Sequence, residues 1–522
     1  MWQPFQVTTA AARTFRLGAT EYPVVLPNAR DPRLHLAAVI IAIHILGQTA
    51  LGFRVSVPQI VVAILTCAAI EVGWTLYKTK RIVWPASAML TGSGVALILR
   101  VVGAERGDHW SWSGWYLFAG VAGFSLITKY LIQYRGSHVF NPSNVGLVAA
   151  FLILGSEVIE PLDFWWAPFD PWMASAYLII LVGGLLITAR LRLLAVAMSF
   201  WLLLAAGLAV LTASGHCMTA AWALQPVCGQ QFWWVVVTSP EVLIFLFFMI
   251  TDPRTIPSGS VARVVFALCL GAACVLLIAP QTTEFGAKVA LLAGLVLLTP
   301  FRFLFDRFLT KPEPTGVVGA PSLGRWRMFA RGWVLGSVVV MFAVGTVAAG
   351  APARESAQVT DGGAQPIAVE IDPASAPDVT VSVDAEALNS DVAEGAQGLA
   401  VMLAENLAIE SEAMLRADTS LLRAADDGER LVEMERRIQV AATTGEFPVS
   451  VYRFASLHLE VVFTDGPQGG ASLGLVATGS VDDISYDVAG VEARRTTRPF
   501  ATTFVMRQGS GDRWLIVGEM DG

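Results

Sequence analysis

Four ionisable side chains stand inside otherwise apolar stretches: Glu71 in CAAIEVGW, Arg100 closing SGVALILR, Lys129 in SLITKYLIQY and Glu241 in TSPEVLIF. A charge in such surroundings is costly, so it pairs with an opposite charge, reaches a polar boundary, or serves an ion or proton path. Two compact polar segments add to them, GSHVFNPSNVG (136–146) and MITDPRTIPSGSVAR (249–263). Asn-Pro and Asp-Pro favour turns. The plain reading makes both segments tight connections between helices. The functional reading makes them the breaks that line a ligand site, as in transporters, and puts forward His138, Asn141, Pro142, Thr251 and Asp252. Of the five cysteines, Cys67, Cys269 and Cys274 lie in apolar segments, where a thiol is usually a small hydrophobe. Cys217 and Cys228 share a polar connection, and they form a disulfide if it faces an oxidising compartment; otherwise they are two thiols. No CxxC pair, zinc-spaced set or haem-attachment motif occurs, so no metal site is expected.

The elements that carry these residues are apolar helices. Charged residues make up 15% of the 522, and there are 16 Trp and 27 Phe. Soluble chains carry about 25% charged residues, so most of this chain has too little charge to cover a water-facing surface. At about 20 residues per crossing, the chain up to about residue 350 offers ten to eleven spans: near 34–53, 55–77, 84–103, 113–134, 144–159, 173–189, 193–213, 232–251, 261–279, 286–304 and 331–351. The third holds Pro, Gly and Arg, and the fifth is short. Broken or re-entrant segments are tolerated at such places where protein or water covers the freed backbone.

Basic residues fall on alternate connections. Lys78 to Arg81, Arg135, Arg190 with Arg192, Arg254 to Arg263 and Arg302 to Arg331 lie on the side of the N-terminal arm. The acidic or neutral connections, the two-cysteine loop among them, lie on the other. The positive-inside rule then puts the N-terminus in the cytoplasm and the C-terminal end outside. The first 33 residues lack the apolar core of a secretory signal, so no cleaved signal is expected. Acidic residues concentrate after residue 352, and no basic face offers itself to nucleic acid.

Three stretches in this order give a resemblance: SAMLTGSGVALIL (87–99), KYLIQYRGSHVFNPSNVGLV (129–148) and FFMITDPRTIPSGSVARVVFALCLGA (247–272). Together they resemble the membrane subunits of the Nqr and Rnf electron-transport complexes, the NqrB/RnfD type, over about 34–310. The resemblance implies a flavin-holding subunit of the bacterial inner membrane that relays electrons and couples them to ion movement. It draws Thr91, Asn141, Pro142, Thr251 and Asp252 together as candidate cofactor-binding residues. The family attaches FMN to a Thr in a Ser-Gly-Ala-Thr motif between the second and third stretches. Here that interval holds only LTASGH (211–216), in the wrong order, so covalent FMN is not expected. A non-covalent flavin, FMN or riboflavin, and a flavin-free relative remain the alternatives. The UnbU-type branch, which also lacks the attachment motif, resembles the chain more nearly. It implies other membrane or extracytoplasmic subunits as partners, proteins of the ASPIC/UnbV repeat type among them.

The expected organisation is a cytoplasmic arm (1–33), an NqrB/RnfD-like membrane bundle (34–310), a basic cytoplasmic loop (311–330), an additional span (331–351), a linker (352–392) and an extracytoplasmic domain (393–522). In that domain AEGAQGLAVMLAENLAIESEAMLR places Leu399, Met402, Leu403, Leu407 and Met414 on one helical face. A second helical piece and four strand-like runs follow. Helices before a meander resemble the cone-shaped NTF2-like fold, an α+β domain. His458 and Tyr452 are its candidates for an inward-facing site, and binding or assembly is expected ahead of catalysis. Three functions stay open: ion-coupled electron transport, transport or export of a solute, and a scaffold for an extracytoplasmic complex. No residue is assigned as catalytic.

Overall fold

The computed structural model describes residues 13–17, 20–28, 31–102, 104, 107–156, 158–162, 171–220, 227–309, 325–353, 377–388, 395–464, 470–488, 490–508 and 513–521. Most of the expected basic loop (311–330) and most of the linker lie outside them. The chain divides into two compact units, Met1–His216 with Gly229–Gln281 and Phe285–Gly350, and Cys217–Cys228 with Thr282–Glu284 and Ala351–Gly522.

The first unit is helical. A hairpin, β1 (Arg13–Leu17) and β2 (Thr20–Val25), precedes α1 (Pro32–Leu46). Then come α2 (Val57–Thr79), β3 (Ile82–Val83), which pairs parallel with β2, α3 (Ala86–Ile98), β4 (Leu99–Val101) and α4 (Trp115–Leu131). A two-strand turn, β5 (Gln133–Tyr134) and β6 (Ser137–His138), leads to α5 (Pro142–Leu154) and β7 (Ile159–Pro161). Helices α6 (Pro171–Arg190) and α7 (Leu194–Ala213) follow; the paired strands after them, β8 (Cys217–Met218) and β9 (Val227–Cys228), belong to the second unit. The series closes with α8 (Gly229–Thr238), α9 (Pro240–Ile244), α10 (Ser260–Ile278), α11 (Glu284–Leu298), α12 (Arg302–Leu309) and α13 (Arg325–Ala349).

Among the described residues, seven helical stretches are long and apolar enough to cross a membrane. Two of the remaining segments are shorter for a physical reason. Helices α3 and α5 have 13 residues each, about 20 Å at 1.5 Å per residue, against about 30 Å of hydrocarbon. Each runs on into a short strand, β4 or β7, and the two strands pair antiparallel with Arg100 opposite Glu160. Their ladder pairs backbone groups that the helix ends leave free.

The second unit holds a five-stranded sheet in the order β10-β11-β12-β13-β14. Strand β10 (Val379–Val381) pairs parallel with β11 (Phe447–Thr464); β12 (Gly470–Tyr486), β13 (Glu492–Gln508) and β14 (Trp514–Asp521) follow as an antiparallel meander. Before the meander come α14 (Val383–Leu388), α15 (Ala396–Arg416) and α16 (Gly428–Thr444). Leu399, Leu403 and Leu407 of α15 bury against Leu457, Leu459, Leu475, Phe504 and Ile516 of the sheet. Residues 377–388, read from sequence as linker, instead supply β10 and α14. The alternation in VTVSV lets Val379 and Val381 pack on that same core, a short strand signal masked by its Pro- and Ala-rich surroundings.

Candidate functional site

Every charge in the apolar segments meets a partner. Lys129 Nζ of α4 lies 3.0 Å from Glu71 Oε2 of α2 and 3.2 Å from Ser87 Oγ of α3. Arg100 Nη1 lies 3.2 Å from Glu160 Oε2 across the β4–β7 ladder. Lys288 Nζ of α11 lies 3.0 Å from Glu241 Oε1 of α9. Both partners of each pair are largely withdrawn from solvent, with side-chain exposures between 4% and 17%. The pairs thus join different elements, each setting a cation against a carboxylate.

The two polar segments meet. His138 Nε2 lies 3.2 Å from Asp252 Oδ2, and Asn141 Nδ2 donates to the Met249 carbonyl at 3.3 Å. Asn141 also caps α5, its Oδ1 accepting from the Asn144 N–H and from Ser143 Oγ, while Pro142 stands at the first helical position, where its missing N–H costs nothing. Asp252 Oδ1 accepts from the Arg254 N–H at 3.0 Å, and Thr251 Oγ1 donates to the Phe247 carbonyl one turn back. Asn141 and Asp252 therefore hold the two polar connections together, and Thr251 secures the second one locally. Thr91 is buried on α3, bonded to the Ser87 carbonyl at 3.1 Å, one turn from Gly94, which packs on Ser143. The structure thus gathers Asn141, Pro142, Thr251 and Asp252 into one clasp and sets Thr91 on the neighbouring helix.

Packing around this clasp has an order that the sequence did not reveal. Helix α2 packs on α3 and α4 as α7 packs on α8 and α10; α1 packs on α3 as α6 packs on α9; and α1 and α6 pack on each other. A Cβ at Gly146 of α5 would overlap Ser125 of α4, and one at Gly294 of α11 would stand 2.5 Å from Cys274 Sγ of α10. Within the unit α1 to α12 therefore fall into two halves of five elements, α1 to α5 with β7 and α6 to α12, and α13 packs beside α7 and α10. In both halves the third and fifth elements are broken. The breaks are the turn from α3 into β4, Gly155 after α5, Ser239-Pro240 between α8 and α9, and Thr299-Pro300 between α11 and α12. The fifth elements touch, because Asn144 Nδ2 of α5 donates to the Leu292 carbonyl of α11 at 2.9 Å. Near these contacts, Asn144 Oδ1, Ser125 Oγ and His44 Nδ1 are buried without a hydrogen-bond partner among the described residues.

A disulfide joins Cys217 to Cys228, directly opposite each other in the β8–β9 ladder. Thr212, the only hydroxyl of LTASGH that could be likened to the family's flavin-bearing threonine, lies in the last turns of α7 with its Oγ1 buried.

In the second unit, β11 carries a bulge between Phe454 and Ser456. The extra residue shifts the alternation, so Tyr452 and Phe454 share the core-facing side with Leu457 and Leu459, while His458 faces away and bonds Thr380 at 2.8 Å. Gly479 opposite the bulge has no alternative, because a Cβ there would overlap the Arg453 carbonyl. Of the two candidates read from sequence, Tyr452 is thus inside and His458 is not. No group of three or more His, Cys, Asp or Glu residues arranged to hold a metal ion occurs among the described residues. No family model and no curated protein matches the chain.

Proposed function

We propose that the chain is an integral membrane subunit of the NqrB/RnfD type that couples ion movement to electron transport in the cytoplasmic membrane. In this reading its N-terminus is cytoplasmic, and its NTF2-like C-terminal domain lies outside, where it docks a protein partner. The single observation that supports ion movement is the pair of five-element halves with broken third and fifth members. Broken helices leave backbone carbonyls and N–H groups at mid-depth, where they can replace the hydration shell of an ion. The unsatisfied polar atoms of Asn144 and Ser125 add acceptors there. The His138–Asp252 and Asn141–Met249 contacts then act by position, holding the connection before α5 and the one after α9 in register at one end of the path.

Electron transfer rests on the sequence resemblance. A flavin would supply one- and two-electron chemistry, held without a covalent bond in an apolar slot. Thr91, Asn141, Pro142, Thr251 and Asp252 would shape that slot through the clasp, and Glu71, Lys129 and Glu241 would set the charge around it. A second reading, a transporter without redox chemistry, is favoured by the same two halves. The visible absorption of the purified protein separates the two. Near-stoichiometric flavin supports electron transport. A colourless, folded protein that still carries ions or solute into liposomes would replace that reading with the transporter.

A further inference from the structure

The soluble unit contains a buried charge cluster that no sequence motif announced. Asp426 lies in the turn between α15 and α16, fully buried, and no hydrogen-bond donor among the described residues reaches either carboxyl oxygen. Its neighbours leave it little choice. Arg430 of α16 is spent on two other carboxylates: its Nε and Nη2 hold Glu410 of α15 in a fork at 2.7 Å each, and its Nη1 lies 3.0 Å from Glu519 of β14. Arg430 and Glu410 are 6% and 7% exposed. An ionised Asp426 would make three carboxylates around one guanidinium, with no donor of its own in a medium that penalises charge.

We propose that Asp426 keeps its proton at neutral pH and donates it to Glu410, so that the cluster is a proton-binding site whose emptying loosens the contact between α15, α16 and β14. The groups facing it are Glu410 from α15, Arg430 from α16 and Glu519 from β14, with Tyr452 of β11 at the edge of the same field. Asp427 beside it caps α16 through the Gly428 N–H. Arg507 of β13 lies in the field of Asp427, and Arg513 is bound to Glu405, Asn406 and the Ala424 carbonyl. Among the described residues Arg430 is the cation in the field of Asp426.

Burial, and then the charge and hydrogen bond of Glu410, push the Asp426 carboxyl well above the usual range. A carboxyl raised on folding stabilises the fold fully below its unfolded value near 4, and that stability fades as pH rises towards the folded value. The mechanical consequence is local. The segment carrying Asp426 is stitched to β14 by Asp427 N–H to the Ile516 carbonyl at 3.0 Å and Ile516 N–H to the Ala425 carbonyl at 2.9 Å. A second negative charge beside Glu410 and Glu519 strains this stitch first.

The test uses the full-length protein in detergent and its Asp426→Asn variant, whose amide can still donate to Glu410 but cannot titrate. At pH 7 the infrared spectrum of the wild type should show a carboxylic-acid C=O band that the variant lacks; identical spectra overturn the proposal. Should the variant fail to fold, ¹³C-aspartate labelling of the wild type serves instead, and a protonated-aspartate band must shift. No such band at pH 7 overturns the proposal. Hydrogen exchange in peptides covering β14 and the start of α16, corrected for intrinsic rates, provides the second readout. Opening should rise with pH by up to about tenfold per unit, one proton's worth, in the wild type and stay flat in the variant. A flat wild-type profile also overturns it.

Discussion

Replacing Lys129 by Met tests whether the paired charges hold the membrane unit together. The ammonium lies 3.0 Å and 3.4 Å from the two Glu71 oxygens and 3.2 Å from Ser87 Oγ. At an effective dielectric near 20, attraction at 3 Å is about 5–6 kcal/mol, most of it offset by desolvation of the two ions. What the substitution exposes is the remainder: a carboxylate left alone among α2, α3 and α4, which costs about 3–5 kcal/mol. Removing both charges, Lys129→Met with Glu71→Leu, restores stability to within about 1 kcal/mol of the wild type, or exceeds it. The assay is a double-mutant cycle by reversible unfolding in mixed micelles. A single variant within about 0.5 kcal/mol of the wild type would refute the reasoning, because surface changes cost no more than that. The same double variant separates structure from transport: a stable protein that no longer moves ions assigns the pair to the path.

Other outcomes follow from the same geometry. Asn141→Ala and Asp252→Ala should each reduce ion or electron transport more than substitutions of exposed tail residues such as Val432; transport at wild-type levels in both would remove the clasp from the mechanism. Gly92→Ala should destabilise the bundle by about 1–3 kcal/mol, the range for overpacking, since its Cβ would meet the backbone of Ala63 and not a yielding side chain; equal melting of the two proteins contradicts that packing. In intact cells, Cys217 and Cys228 should react with a membrane-impermeant thiol reagent only after reduction. Labelling without reduction, or only after lysis, would contradict an extracytoplasmic disulfide.

Much of the site was legible because its residues are the ones a membrane makes expensive. Glu71, Lys129, Arg100 and Glu241 stand out against apolar neighbours, and Asn141-Pro142 and Asp252-Pro253 mark turns by covalent chemistry alone. Their partners were not legible. Glu160 and Lys288 sit 60 and 47 residues from the charges they neutralise, and nothing local distinguishes them from boundary residues. The tail divides in the same way. The apolar face of α15 and the four long strands follow from periodicity, yet the inward turn of Tyr452 depends on one extra residue at the bulge, and Asp426 reads as an ordinary loop aspartate.

Sequence by itself determined which stretches are apolar helices, where the chain breaks, and that a sheet-forming polar domain follows them, because length, hydropathy and turn chemistry are local properties. Only the tertiary structure decided that the weak third and fifth segments pair through β4 and β7, that α1 to α5 and α6 to α12 pack in the same order, that each charge in the apolar segments meets an opposite charge, and that Asp426 is enclosed beside Glu410. Each of those depends on which elements approach one another, and the energy of a charge or a backbone break is set by that approach and by how much water it excludes.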